Sequence, residues 1–188
     1  MNWKNKKVLV TGSEGMIGKE LVIQLEELGA VVYELDIKHH KYQDVTDYRS
    51  IDIMFDEFKK QGQIDYVFHL FGIKGNPKMT KERPVDFMEP MLRGDTNMIV
   101  LAQKHRVKRF LYTSSIAVEH PESDWYPAWA KRTGEELIKA MEIQYPKGTK
   151  YVIVRPANVY GRFDNFSNPN AMVVTSLISK ALKGDLIL

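Results

Sequence analysis

Three glycines spaced three residues apart occur in the run Thr11-Gly12-Ser13-Glu14-Gly15-Met16-Ile17-Gly18, directly after the apolar triplet Val8-Leu9-Val10. Glycine at such positions permits a tight turn, close approach of the backbone to a pyrophosphate, and close packing of the next helix on the strand. A helix opening at Met16 and Ile17 would present unpaired amides and the positive end of its dipole, which suits phosphate oxygens. The spacing alone is equally that of a glycine-rich turn with no ligand. What adds to it is Asp36, 18 residues after Gly18 at the end of the next apolar run. A carboxylate there can accept hydrogen bonds from both hydroxyls of an adenosine ribose, and it repels a 2′-phosphate. Gly12, Gly15, Gly18 and Asp36 therefore make NAD the expected cofactor rather than NADP, with Lys38 and His39 nearby as opposing groups.

The elements that must position these residues alternate in type. Short apolar runs at Val8-Val10, Ala30-Leu35, Tyr66-Leu70, Arg109-Thr113 and Tyr151-Val154 predict buried strands. Between them lie helical patterns. Ile17, Leu21, Leu25 and Leu28 define one inner face, with Gly29 as its stop. Thr46 or Asp47 can cap a second helix, with inner residues Ile51, Met54, Phe55 and Phe58 and an end near Gly62. The segment 84–105 predicts a short turn followed by a main helix starting near Pro90, because proline is tolerated at a helix start and not in its interior. Helices are also predicted over 127–145, with Leu137, Ile138 and Met141 on one face, and over 171–182. Such alternation implies right-handed crossovers and a Rossmann-like, doubly wound parallel sheet in a three-layer α/β/α domain spanning 1–188. Ligands of such sheets bind beyond the carboxyl ends of the strands.

Composition narrows the chemistry. The chain has 188 residues and no cysteine, which excludes a thiol nucleophile, a disulfide framework and any cysteine-ligated metal. No metal site of another kind is expected. The net charge of +3 is small and dispersed, so nucleic acid is not an expected partner. The basic run Lys104-His105-Arg106-Val107-Lys108-Arg109 lacks interleaved aromatics and reads as a solvated helix end and loop. No apolar stretch reaches the length of a membrane span, and the residues after Lys7 are too few to form a signal-peptide core. A cytoplasmic protein with no membrane partner is the expectation.

Several motifs in order resemble the extended short-chain dehydrogenase/reductase family, the NAD-dependent nucleotide-sugar epimerases and dehydratases. They are the Gly12-x-x-Gly15-x-x-Gly18 spacing, Asp44-Val45, His69-Leu70-Phe71-Gly72, Thr113-Ser114-Ser115, Lys131 with Glu135, and Arg155-Pro156-Ala157-Asn158-Val159-Tyr160-Gly161. The resemblance implies a pyrophosphate site at Gly12, Gly15, Met16, Ile17 and Gly18, and an adenine site at Asp44 and Val45. It adds a turn over the cofactor at Leu70, Phe71 and Gly72, and further cofactor contacts at Thr113, Lys131 and Ala157. Ser115 and Asn158 become substrate-binding residues, and a nucleotide sugar the implied substrate. Members generally pair through the helices corresponding to 90–105 and 128–145, so a homodimer is also implied.

In that family a Tyr-x-x-x-Lys pair, sharing one helix face, does the proton and hydride work. Lys131 and Ser115 match two of the catalytic positions, with Ser114 a substitute for the latter. The tyrosine position, four before Lys131, holds Pro127. Tyr126 lies one residue earlier; on a continuous helix it would stand about 140° from Lys131. Because proline disfavours helical conformation in its predecessor, Tyr126 is expected to precede the helix and swing its hydroxyl into place. The alternative is a tyrosine packed at a helix entrance beside Trp125 and Trp129. His120, Glu119 and Asp124 share the same loop and read as solvated. Only 11 residues separate Ser115 from Pro127, a short loop for the family, and Met91 replaces a customary asparagine.

The stretch from Asn158 to Phe166 particularly resembles the GDP-fucose synthase branch. That branch's proton-exchanging cysteine and histidine are Ile116 and Met172 here. The substrate domain is expected to be largely absent after about 165, where family members continue. Two functions thus stay open: a nucleotide-sugar epimerase/dehydratase using Ser115, Tyr126 and Lys131, or a non-catalytic NAD-binding sensor or scaffold.

Overall fold

The computed structural model describes residues 2–73, 75, 77–120, 125–166, 171 and 173–184; Asp124, Met172 and residues 185–188, considered above, lie outside them. Strands β1 (Lys7–Thr11), β2 (Val31–Leu35), β3 (Tyr66–His69), β4 (Arg109–Thr113) and β5 (Lys150–Val154) form one sheet in the order β2-β1-β3-β4-β5. Every pairing is parallel, with Leu9 opposite Tyr33 on one side and Val67 on the other. The chain crosses from β1 to β2 in one direction and returns to place β3 against the other side of β1. The carboxyl ends of β1 and β3 therefore flank the switch point at which ligands bind in such sheets.

The helices are α1 (Met16–Glu27), α2 (Tyr48–Lys60), α3 (Pro77–Glu82), α4 (Val85–Lys104), α5 (Tyr126–Gln144) and α6 (Val173–Leu182), with a 3-10 turn at Ile116–Glu119. One face of the sheet is closed by Ile51 and Phe55 of α2, Met98, Ile99 and Leu101 of α4, and Ile138 of α5, packed on Leu9, Val67, Phe110 and Tyr112. The other face is closed near β1 by Val22 and Leu25 of α1 with Trp3 against Val8 and Val10. Toward β5 that cover thins. Among the described residues β5 is one edge of the sheet, Val152 and Val154 are exposed, and so are Val173, Leu177 and Ile178 of α6.

Two expectations are corrected by packing. The buried stripe of α1 is Gly18, Val22 and Leu25, whereas Ile17 and Leu28 are exposed. The phase of this helix is set by Gly18, whose missing Cβ lets α1 rest on the backbone of Gly12 and Ser13. The main helix of the 84–105 segment does not wait for Pro90. α4 runs unbroken from Val85 through Pro90, because Phe87 and Met91, one before and one after the expected start, are both buried and hold that first turn in place. Their burial outweighs the one backbone hydrogen bond that proline forfeits. The short helix α3 was not anticipated at all. Elsewhere local signals hold: Asp47, not Thr46, caps α2 by accepting from the Ser50 amide, and Gly29 and Gly62 end their helices at positive φ.

The seat of α1 on the glycine turn gives a direct test. Gly18→Ala should destabilise the chain by about 1–3 kcal/mol, since the new methyl meets backbone that cannot yield. Gly161→Ala, which meets open space, should stay within about 0.5 kcal/mol of the parent in urea unfolding.

Candidate functional site

The glycine turn closes on the end of β3. Gly12 adopts φ +68°, and a Cβ there would stand 3.0 Å from the Leu70 carbonyl oxygen. The Leu70 amide donates to the Thr11 carbonyl at 3.2 Å, fixing the two strand ends side by side. A crevice of about 440 Å³ opens over this junction. It gathers Gly12, Gly15, Asp36, Asp44, Val45, Leu70, Phe71 and Gly72, eight of the residues that the sequence placed at a cofactor, together with Gln43 and Pro90.

The walls of the crevice are tied together by hydrogen bonds. Asp36 accepts from the Glu14 amide in the glycine turn at 3.1 Å and from the Lys38 amide at 3.0 Å, which leaves carboxylate lone pairs uncommitted. Gln43 accepts from the Asp36 amide at 3.1 Å, and Asp44 accepts from the Thr46 amide at 2.9 Å. Asn97 of α4 donates to the Val45 carbonyl at 2.9 Å. Around Asp36 the charge is mixed. Glu14 pairs with Lys19 at 2.9 Å, and His39 lies 3.4 Å from Glu34 and 3.6 Å from Glu14. The Lys19 ammonium, through its hydrogen bond to Glu14, holds that carboxyl below the usual range.

Behind the Leu70-Gly72 turn lies a buried polar chain. Asp95 of α4 is 1% exposed. Its carboxylate accepts from His69 Nε2 at 2.9 Å, from Lys131 Nζ at 3.2 Å and from the Tyr112 hydroxyl at 2.6 Å. Because a carboxylate only accepts, His69 carries its proton on Nε2, and its Nδ1 accepts from the Thr11 hydroxyl at 2.7 Å. Lys131 also donates to the Phe71 carbonyl at 2.9 Å. Burial would raise the Asp95 carboxyl, but the Lys131 charge and the His69 and Tyr112 hydrogen bonds outweigh it and hold it below the ordinary range. Burial pushes His69 down despite Asp95, so it stays neutral, and burial with Asp95 beside it pushes the Tyr112 phenol far up.

A second ionic cluster fastens the far wall. Ser114 donates to Glu135 at 2.5 Å, and Arg155 grips the same carboxylate through Nε at 2.9 Å and Nη2 at 2.6 Å. Burial would raise the Glu135 carboxyl; Arg155 and Ser114 together hold it low. Ser114 is thereby committed. Ser115 accepts from the Ala117 amide at 3.2 Å, so its hydroxyl proton remains to be donated. Thr113 Oγ1 is buried and has no partner within the chain, one of the few such atoms among the described residues. An orphaned hydroxyl at the end of β4 and a turn whose glycines admit no Cβ both fit a bound dinucleotide.

The remaining predicted residues are placed less centrally. The side chains of Met16 and Ile17 line a neighbouring cavity of about 570 Å³ shared with Tyr160 and Phe163. Ala157 and Asn158 are exposed in the loop after β5. Tyr126 does not precede the helix: it is the first residue of α5, with Trp125 as the cap and the Ala128 amide donating to the Trp125 carbonyl. Pro127 is tolerated at the second helical position because its absent N–H has no helical acceptor there. Tyr126 lines a groove with Val85, Met88 and Leu92 of α4, whereas Lys131 reaches Phe71. The basic run is tied down in part, Lys104 to Asp52 and Lys108 to Asp65. No helix among the described residues is long and apolar enough to cross a membrane.

Sequence reading missed Asp95, Asn97 and Tyr112 as site residues. A signal existed for Asp95: it falls on the apolar stripe Phe87, Met91, Met98 and Ala102 of α4, where a lone charge is out of place.

The glycine turn, the acid ending β2 and the parallel strand order define a Rossmann-like domain. More narrowly, the chain belongs to the NAD dependent epimerase/dehydratase family, whose family model matches residues 8–188. Among curated relatives, GDP-L-fucose synthase 1 of Arabidopsis thaliana is 28% identical over 96% of this chain and 58% of its own length. GDP-L-fucose synthase of Escherichia coli is 26% identical over 93% and 57%. This chain thus spans less than two thirds of these relatives. A GDP-L-fucose synthetase from Naegleria fowleri, bound to NADP, superposes with a TM-score of 0.78 at 23% identity, covering 96% of this chain and 59% of the other. UDP-glucose 4-epimerase from Thermotoga maritima, with UDP-glucose, gives 0.78 at 23%, covering 96% and 64%.

The buried chain has a pH signature. His69 is neutral in the fold and titrates near 6.5 when unfolded, so its contribution is present above that value and is lost as pH falls below it. Asp95, depressed in the fold, contributes above about 3.9 and loses that contribution as pH falls through its folded value. Unfolding free energy should therefore fall as pH drops below about 6.5 in urea titrations, and His69→Asn should flatten that slope.

Proposed function

We propose that this chain is an NAD-dependent epimerase/dehydratase acting on a nucleotide sugar. The observation that carries the reading is Lys131, delivered by α5 to the wall of the glycine-turn crevice with one ammonium N–H uncommitted. When bound, the nicotinamide cofactor supplies a reversible hydride acceptor. The glycine turn and the first amides of α1 hold its pyrophosphate, Asp36 its adenosine ribose, and Asp44 and Val45 its adenine. Thr113 and Ala157 add contacts at the ends of β4 and β5. Lys131 donates to the second ribose. Ser115 donates its proton to a sugar oxygen, Asn158 orients the sugar, and the Tyr126 phenol is the group that takes a hydroxyl proton. Two copies pair along α4 and α5, where Val85, Met88 and Leu92 line an open groove.

NAD is favoured over NADP because Asp36, at the end of β2, keeps carboxylate lone pairs free to accept from a ribose diol and would repel a 2′-phosphate. Titration calorimetry should show NAD binding at least about tenfold tighter than NADP. Asp36→Ala should narrow that ratio by weakening NAD and relieving repulsion of NADP.

One observation favours a second reading. Pro127 replaces the tyrosine of the family pattern, and Tyr126 lines the α4 groove instead of the crevice. Under this reading the chain binds the dinucleotide without turnover, as a sensor or scaffold. The two separate on Tyr126→Phe. An enzyme should lose at least about 100-fold in turnover of a nucleotide sugar, the ordinary scale for removing a general base. A binding protein should show no turnover before or after the change and an unaltered NAD affinity.

A further inference from the structure

Asp95 is a carboxylate in the interior of the domain, and its burial needs a reason. Bringing a charge there costs several kcal/mol unless good partners meet it. Two close backbone approaches bring the partners together. At Gly94 a Cβ would stand 2.7 Å from the Phe71 ring and 2.9 Å from Val45, so α4 presses against the crevice wall beside Asp95. At Gly134, three residues after Lys131, a Cβ would run into the Tyr112 hydroxyl, so α5 presses against β4 beside the lysine. Asp95 and Lys131 meet as a consequence, each with side-chain exposure below 10%. Of the three donors on the lysine, Asp95 and the Phe71 carbonyl occupy two. On its other side Asp95 is joined through His69 to Thr11, the residue that begins the glycine turn.

We propose that Asp95 is the positioning residue for Lys131, holding its ammonium at the Phe71 carbonyl so that the remaining N–H meets the ribose on the nicotinamide side of the dinucleotide. The inference rests on the cofactor reading above and goes beyond it, since it gives a role to a residue outside the crevice. A lysine without this carboxylate would be a buried, flexible, unpaired cation, which would deprotonate or turn to solvent. With it, the donor is fixed before ligand arrives, and less ordering is left for binding to accomplish.

The test compares NAD with ADP, which shares the adenosine and pyrophosphate half and lacks the nicotinamide riboside. Calorimetric affinities are measured for the parent, Asp95→Asn, Asp95→Glu, Lys131→Met and the Asp95→Asn/Lys131→Met double variant, with thermal melts alongside. The expected result is a loss of about tenfold in NAD affinity for Asp95→Asn, with ADP affinity unchanged within about twofold. The double variant should bind NAD no more weakly than Lys131→Met, because both changes remove one interaction. Asp95→Glu, which keeps the charge, should recover part of the loss. Equal weakening of NAD and ADP by Asp95→Asn, or additive losses in the double variant, overturns the proposal and leaves the cofactor reading standing. A parent chain that binds neither ligand overturns the cofactor reading and the proposal together. Should Asp95→Asn not fold, the comparison rests on Asp95→Glu against Lys131→Met. An NAD loss in Asp95→Glu without an ADP loss then supports positioning, and no selective loss overturns it.

Discussion

A negative charge lies where a parallel sheet is driest. Asp95 is accommodated because one ammonium and two neutral donors converge on its two oxygens, and each of those donors comes from a different element. His69 ends β3, Tyr112 lies in β4 and Lys131 is in the second turn of α5. Removing any one of them would leave a buried charge or a buried donor unsatisfied, at a cost larger than the hydrogen bond itself. The strand ends, the two long helices and the Leu70-Gly72 turn are consequently held in one relation to each other. The crevice takes its shape from that relation, since Phe71 is both its wall and an acceptor for Lys131.

Local signals made most of the fold legible. Apolar runs located all five strands to within about a residue, because strands buried in a parallel sheet need little beyond uninterrupted hydrophobicity. Glycine and aspartate marked helix ends for reasons of backbone conformation and capping, which depend on few neighbours. What escaped was set by distant contacts. The register of α1 depends on where Gly18 touches Gly12, and the start of α4 on how deeply Phe87 and Met91 are buried. Neither is expressed in the helical periodicity of the segment itself.

The site divides in the same way. The crevice residues are clustered at strand ends, so motifs read in order along the chain already placed eight of them together. The polar network behind the crevice joins His69 and Lys131, which the motifs contain, to Asp95 and Tyr112, which no motif announces. Tyr126 shows the complementary difficulty. Its neighbourhood in sequence suggested freedom, yet the cap at Trp125 commits it to the first turn of α5, where helical geometry turns it away from Lys131. One residue of displacement on a helix is a change of direction, not of distance.

Gly94 and Phe71 share a single volume. The ring fills the space that a side chain at position 94 would need, and Val45 closes it from the other side. Neither position can therefore drift alone over generations. A lineage that gained even a methyl at 94 would have to surrender ring bulk at 71 in the same interval, or loosen the helix that carries Asp95. Descendants of this chain should vary at these two positions in step, with the sum of the two side-chain volumes, and not the identity of either, as the inherited quantity.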